Sequence, residues 1–105
     1  MRRVNEVIRE VVGSTIGGEL HDPRIGFVTV TAIETSPDLR TAQVHVSVLG
    51  TDEEKEETME ALRAARVVLQ SALGSQLRMK RTPKLTFHYD DSVERAARLT
   101  RMLDE

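Results

Sequence analysis

The residues of this chain whose types could do chemistry are three histidines, one aspartate pair and an unusually segregated set of cations. His45 and His88 fall on the outward faces of predicted strands and lie far apart in sequence, while His21 sits beside Asp22 in a loop. That spacing matches no metal-ligand set, and no serine stands in a nucleophile-elbow context. Asp90-Asp91 could be imagined as an acid–base pair. Placed between a strand and a helix, the two read instead as a turn, with Asp91 or Ser92 capping the helix that follows. Gly13, Gly17 and Gly18 do not follow a strand, and no Lys-Ser or Lys-Thr closes them into a phosphate loop. No nucleophile, base and oxyanion donor can be assembled from these residues. The expectation is therefore a protein that is not an enzyme, with no metal and no cofactor.

The cations carry more information. The formal net charge is −2, which alone argues against a nucleic-acid partner. Its distribution argues the other way. Six carboxylates stand between Asp52 and Glu60 against Lys55 alone. From Ala61 to Tyr89 there are six cations, Arg63, Arg66, Arg78, Lys80, Arg81 and Lys84, and no carboxylate. Segregation by sign governs the choice of partner more than the total does. A helix C-terminus favours one or two cations through its dipole, but not this many. With no carboxylate between them their fields add, and contacts to phosphate release counterions. The stretch reads as a face for RNA. Arg24, in the loop Asp22-Pro23-Arg24-Ile25-Gly26, has two readings. It either pairs locally with Asp22 or is displayed on a rigid turn for phosphate.

The elements that must position these residues fit one domain over 1–105. The chain has no cysteine, which removes disulfides and thiolate chemistry and fits a cytoplasmic location. Glu6, Arg9 and Glu10 interrupt the N-terminal stretch, so no signal peptide is expected, and no run reaches the roughly 20 apolar residues of a membrane span. Val4, Val7, Ile8, Val11, Val12 and Ile16 recur at spacings of three and four, which predicts a helix ending near Leu20. Phe27 to Thr35 predicts a strand whose alternation slips, because Val28 and Val30 share a face and Ile33 does not. A β-bulge near Thr31-Ala32 would return Ile33 to the core. Ala42, Val44, Val46 and Val48 alternate strictly with polar residues, so the second strand completes a hairpin over the turn at Ser36-Pro37-Asp38.

Thr51 or Asp52 caps the next helix, whose apolar positions run through Met59, Leu62, Ala65, Leu69, Leu73 and Leu77. Gly74 interrupts that run and predicts two helices meeting at a kink around Ala72, Leu73 and Gly74. A third strand follows from Lys84 to Tyr89. A last helix carries Val93, Ala96, Leu99 and Leu103 on its apolar side. The order is α-β-β-α-(kink)-α-β-α, an α+β layer with a three-stranded sheet packed by helices.

Four pieces occur in order: the helix with Val7, Ile8 and Val11; Asp22-Pro23-Arg24-Ile25-Gly26; Ser36-Pro37-Asp38-Leu39; and Pro83-Lys84-Leu85-Thr86-Phe87-His88-Tyr89-Asp90-Asp91-Ser92. Together they resemble ribosome-binding factor A over almost the whole chain. The resemblance implies a KH-like fold of the type II order, with Ala72-Leu73-Gly74 as an Ala-x-Gly kink in place of the Gly-x-x-Gly loop of ordinary KH domains. It also implies a monomeric bacterial factor that binds the free small ribosomal subunit and its rRNA. Such a factor assists late maturation, including 5′-end processing of small-subunit rRNA, and supports growth in the cold. Two other readings stay open at this point: a generic KH-type RNA binder, and an α+β protein-interaction module that docks through its acidic helix start.

Overall fold

The strict alternation of Ala42, Val44, Val46 and Val48 makes β2 (Thr41–Leu49) the strand around which everything else is placed, since all four side chains are buried on one face. The computed structural model describes residues 2–18, 22–77 and 81–104. Around β2 stand α1 (Arg2–Gly17), β1 (Phe27–Thr35), α2 (Asp52–Ala64), α3 (Arg66–Gln76), β3 (Lys84–Tyr89) and α4 (Ser92–Asp104). The sheet order is β1-β2-β3. β1 pairs antiparallel with β2, whereas β3 pairs parallel with it. A parallel neighbour cannot be reached by a tight turn, and α2 and α3 form the crossover that returns the chain to the same end of the sheet. This is the α+β, three-stranded order expected from the sequence.

The register slips at Thr31. Val28 pairs with Val48 and Val30 with Val46, then Ile33 pairs with Val44 after the irregularity between Val30 and Ala32. The extra residue returns Ile33 to the helix-covered face, which is the physical reason for the bulge. On that face Leu85 and Phe87 from β3 join the β2 valines, and Ile8, Val11, Val12, Leu62, Leu69 and Leu73 close the core from the helices. Ile8, Leu62, Leu69, Leu73 and Leu85 are fully buried. Taking each of these side chains out of water contributes about 1.5–3 kcal/mol. Thr58, also buried, donates through Oγ1 to the Arg24 carbonyl at 3.0 Å, so α2 holds the loop before β1.

Three boundaries differ from the sequence reading. The first helix ends at Gly17, and Leu20 and His21 lie outside the described residues. The two crossover helices break at Ala65 and not at Ala72-Leu73-Gly74. Ala65 has φ −83° and ψ 3°, and its N–H reaches the carbonyls of Ala61 and Arg63. Gly74 instead continues α3, without a positive φ, and a Cβ there would meet Thr82 Cγ2 at 3.6 Å, an ordinary contact. The continuous helix places Leu69 and Leu73 on one face against the core, and Leu77, its extended C-cap, is buried beyond them. At the start of α4 the capping carboxylate is Asp90, which accepts the Ser92 N–H at 2.9 Å, while Ser92 is itself the first helical residue.

Candidate nucleic-acid interface

β3 is an edge strand, and its parallel ladder decides which groups face outward. Lys84 N–H donates to the Arg40 carbonyl at 2.8 Å and Asp90 N–H to the Val46 carbonyl at 2.7 Å, so the even positions turn their peptide groups to β2. The odd positions turn theirs to the open edge. Two side chains from the crossover helices meet that edge. Gln70 of α3 accepts the Leu85 N–H at 3.1 Å and donates to the Pro83 carbonyl at 2.6 Å and to Thr82 Oγ1 at 3.0 Å. Arg63 of α2 donates through Nη2 to the Phe87 carbonyl at 3.2 Å. An edge occupied in this way is guarded against pairing with another strand.

Between that edge and the helix break lies a groove of about 460 Å³, lined by Arg63, Arg66, Leu85, Thr86, Phe87 and His88. The break at Ala65 places one arginine at the end of α2 and the other at the start of α3, so both reach the same groove. Lys84 precedes Leu85 and shares a strand face with Thr86 and His88, since side chains two apart project the same way. Two cations over an exposed strand edge, with a third beginning that strand, can hold a chain of phosphates. A roomier groove of about 710 Å³ between α1 and α3 has Glu10 as its single charged lining residue and no such chemistry.

The structure thus unites part of the set drawn from the sequence. Arg63 and Arg66 line the groove and Lys84 begins its strand. Arg81 is exposed in the connection leading to β3. Arg78 and Lys80 lie outside the described residues. Arg24 stands apart. Its guanidinium pairs with the Asp22 carboxylate at 2.8 Å, and Glu57 and Glu60 act on its charge. Hydrogen bonds from Arg24 hold the Asp22 carboxyl below its ordinary range. In this structure Arg24 is thus paired locally. Sequence reasoning also missed His88 as a lining residue, and that the register sets His45 opposite it, with ring centroids 5.4 Å apart. No metal-holding cluster occurs among the described residues.

The acidic start of α2 makes a third groove of about 520 Å³, with Asp52, Glu53, Glu56 and Glu60, and Lys55 among them, around Met59 and Tyr89. Arg63 lines both grooves.

A family model described as ribosome-binding factor A matches residues 1–103. A ribosome-binding factor A of Halothermothrix orenii is 42% identical over 102 residues, which is 97% of this chain and 84% of that relative. The crystal structure of ribosome-binding factor A from Thermus thermophilus superposes with a TM-score of 0.74 at 28% identity, over 84% of this chain and 92% of that one. A Thermus thermophilus ribosome-binding factor A model fitted into a cryo-electron-microscopy map of its complex with the 30S subunit gives a TM-score of 0.66 at 29% identity, over 81% of this chain and 89% of that one.

Proposed function

The chain belongs to the ribosome-binding factor A family, and we propose that it binds the free small ribosomal subunit as a monomer in the cytoplasm, with its rRNA lying along the groove between the Ala65 break and the β3 edge. Arg63, Arg66 and Lys84 take phosphates there, and Arg81 adds a contact from the approach to β3. Arg78 and Lys80 extend the set in sequence. The observation that carries this reading is the convergence of Arg63 and Arg66 on one exposed strand edge. The ribosomal side is supported by the Thermus thermophilus relative that was fitted into the map of a 30S complex.

In this reading the protein works by binding, without turnover. It assists late maturation of the subunit, including processing at the 5′ end of the small-subunit rRNA, and supports growth in the cold. The test is co-sedimentation of the purified protein with free small subunits and with joined ribosomes, across a salt series. Binding confined to free subunits, with a steep loss as salt rises, is the expected result. Equal binding to joined ribosomes, or binding indifferent to salt, would sink the proposal.

A further inference from the structure

α4 is an arm with a fixed base, carrying Arg95, Arg98 and Arg101 against Glu94 and Asp104. Asp90 anchors its start three ways: it accepts Thr31 Oγ1 at 2.7 Å and Ser92 N–H at 2.9 Å, and its own N–H donates to the Val46 carbonyl. One turn later Glu94 is held by Lys55 of α2 at 2.5 Å and by the Tyr89 hydroxyl, with Lys55 lying 5.5 Å over the Tyr89 ring. Past that turn no described element packs against the helix. Thirteen residues at 1.5 Å each carry it about 20 Å from its base. The base sits at the end of β3, so the arm continues from the strand that borders the candidate RNA groove.

Its arginines are unevenly placed: at 100° per residue Arg98 and Arg101 lie on the side away from Ala96, Leu99 and Leu103, a side that Glu94 shares, while Arg95 turns toward Leu99. Arg95 is held by Asp91 at 3.0 Å. Arg98 acts on Glu94 through space, and neither Arg98 nor Arg101 has an ion pair or hydrogen bond among the described residues. A cation in the last turn of a helix is explained by the dipole, and Arg101 alone would meet that need. Arg98 lies earlier, and Glu94, the nearest carboxylate, is already engaged by Lys55.

We propose that α4 is a second phosphate-binding element, with Arg98 and Arg101 gripping the backbone of the same rRNA at a distance from the Arg63–Arg66 groove. The inference rests on the rRNA-binding reading of that groove. The two anchors at Asp90 and Glu94 give it physical sense, because an arm of fixed direction spans two backbone sites without the entropy cost of ordering a loose tail.

The experiment uses the full chain and protein-free small-subunit rRNA, with intact small subunits as a parallel arm. Arg98→Gln with Arg101→Gln should flatten the dependence of log affinity on log salt by about 0.7–0.9 for each phosphate no longer neutralised. Leu99→Ser with Leu103→Ser, on the opposite face, should bind rRNA like the wild type. Far-UV circular dichroism establishes that α4 stays helical in both. An unchanged salt slope in the arginine variant overturns the proposal. So does a leucine variant that alone loses intact subunits while keeping rRNA, since a ribosomal protein would then be what α4 meets. Should the wild type itself ignore rRNA, the reading of the groove fails and takes this one with it.

Discussion

Removing two cations from the groove should change how binding responds to salt more than it changes anything else. Arg66 and Lys84 are the informative pair, because both side chains are exposed, whereas Arg63 and Gln70 are engaged in guarding the strand edge. If each holds one phosphate, Arg66→Gln with Lys84→Gln removes two counterion-releasing contacts. The slope of log affinity against log salt then falls by about 1.4–1.8, taking roughly 0.7 per phosphate for single-stranded and 0.9 for duplex nucleic acid. Over a fourfold rise in salt, that slope makes the wild type lose about 7- to 12-fold more affinity than the variant. The assay is a set of rRNA binding isotherms at four or five salt concentrations, beside thermal melts of both proteins. The melts should nearly coincide, because exposed charges contribute little to the fold. Parallel salt slopes with an intact fold would show that the groove is not where phosphate is held.

Three further outcomes follow from the fold. Gly74→Ala should stabilise the protein by about 0.5–1 kcal/mol, because Gly74 is a helix-interior residue with room for a methyl group; a lower urea midpoint would restore a special role for that glycine. Thr51→Ala should cost about 1 kcal/mol, since the Thr51 side chain accepts the Glu54 N–H and the Glu54 carboxylate accepts the Thr51 N–H in return; an unchanged melt would show that this capping box contributes nothing. Asp90 is held down to about 2 from 3.8, chiefly by the Thr31 hydroxyl and then by Ser92. A depressed carboxyl stabilises the fold above its unfolded value and loses that contribution as pH falls through the folded one. The gap in urea midpoint between wild type and Asp90→Asn should therefore be constant above about pH 5 and narrow as pH falls toward 2; a gap undiminished at pH 2 would contradict the assignment.

What can be read along the chain is whatever a period or a local bond determines. The alternation of Ala42, Val44, Val46 and Val48 has one solution, and the misfit of Ile33 has one local remedy, a bulge at Thr31. The strand from Lys84 to Tyr89 is bounded by Pro83 and by the Asp90 cap, and its ends lie where the sequence predicts them. The helix break does not. Glycine is the residue that marks such breaks, yet here the chain turns at Ala65 with no glycine or proline beside it, and Gly74 is carried inside α3 by the burial of Leu69, Leu73 and Leu77. Tertiary packing overrides local propensity.

The site is legible as charge and illegible as geometry. Sign changes between Glu60 and Arg63, three residues and about 4.5 Å along one helix axis. Folding α2 as a single helix converts that linear boundary into two grooves that share Arg63, one ringed by carboxylates and one open to an edge strand. Nothing local in the sequence pairs Arg66 with His88; the parallel crossover does that, by returning β3 beside β2 under the helix break. Arg24 shows the converse, since its loop looks like a phosphate turn but folds against the acidic side, where Asp22 holds it and Glu57 and Glu60 repel any anion. A polyanion nearing this molecule is therefore turned away from the start of α2 and drawn to its end. Such steering acts over about a screening length, so it fades as salt is added.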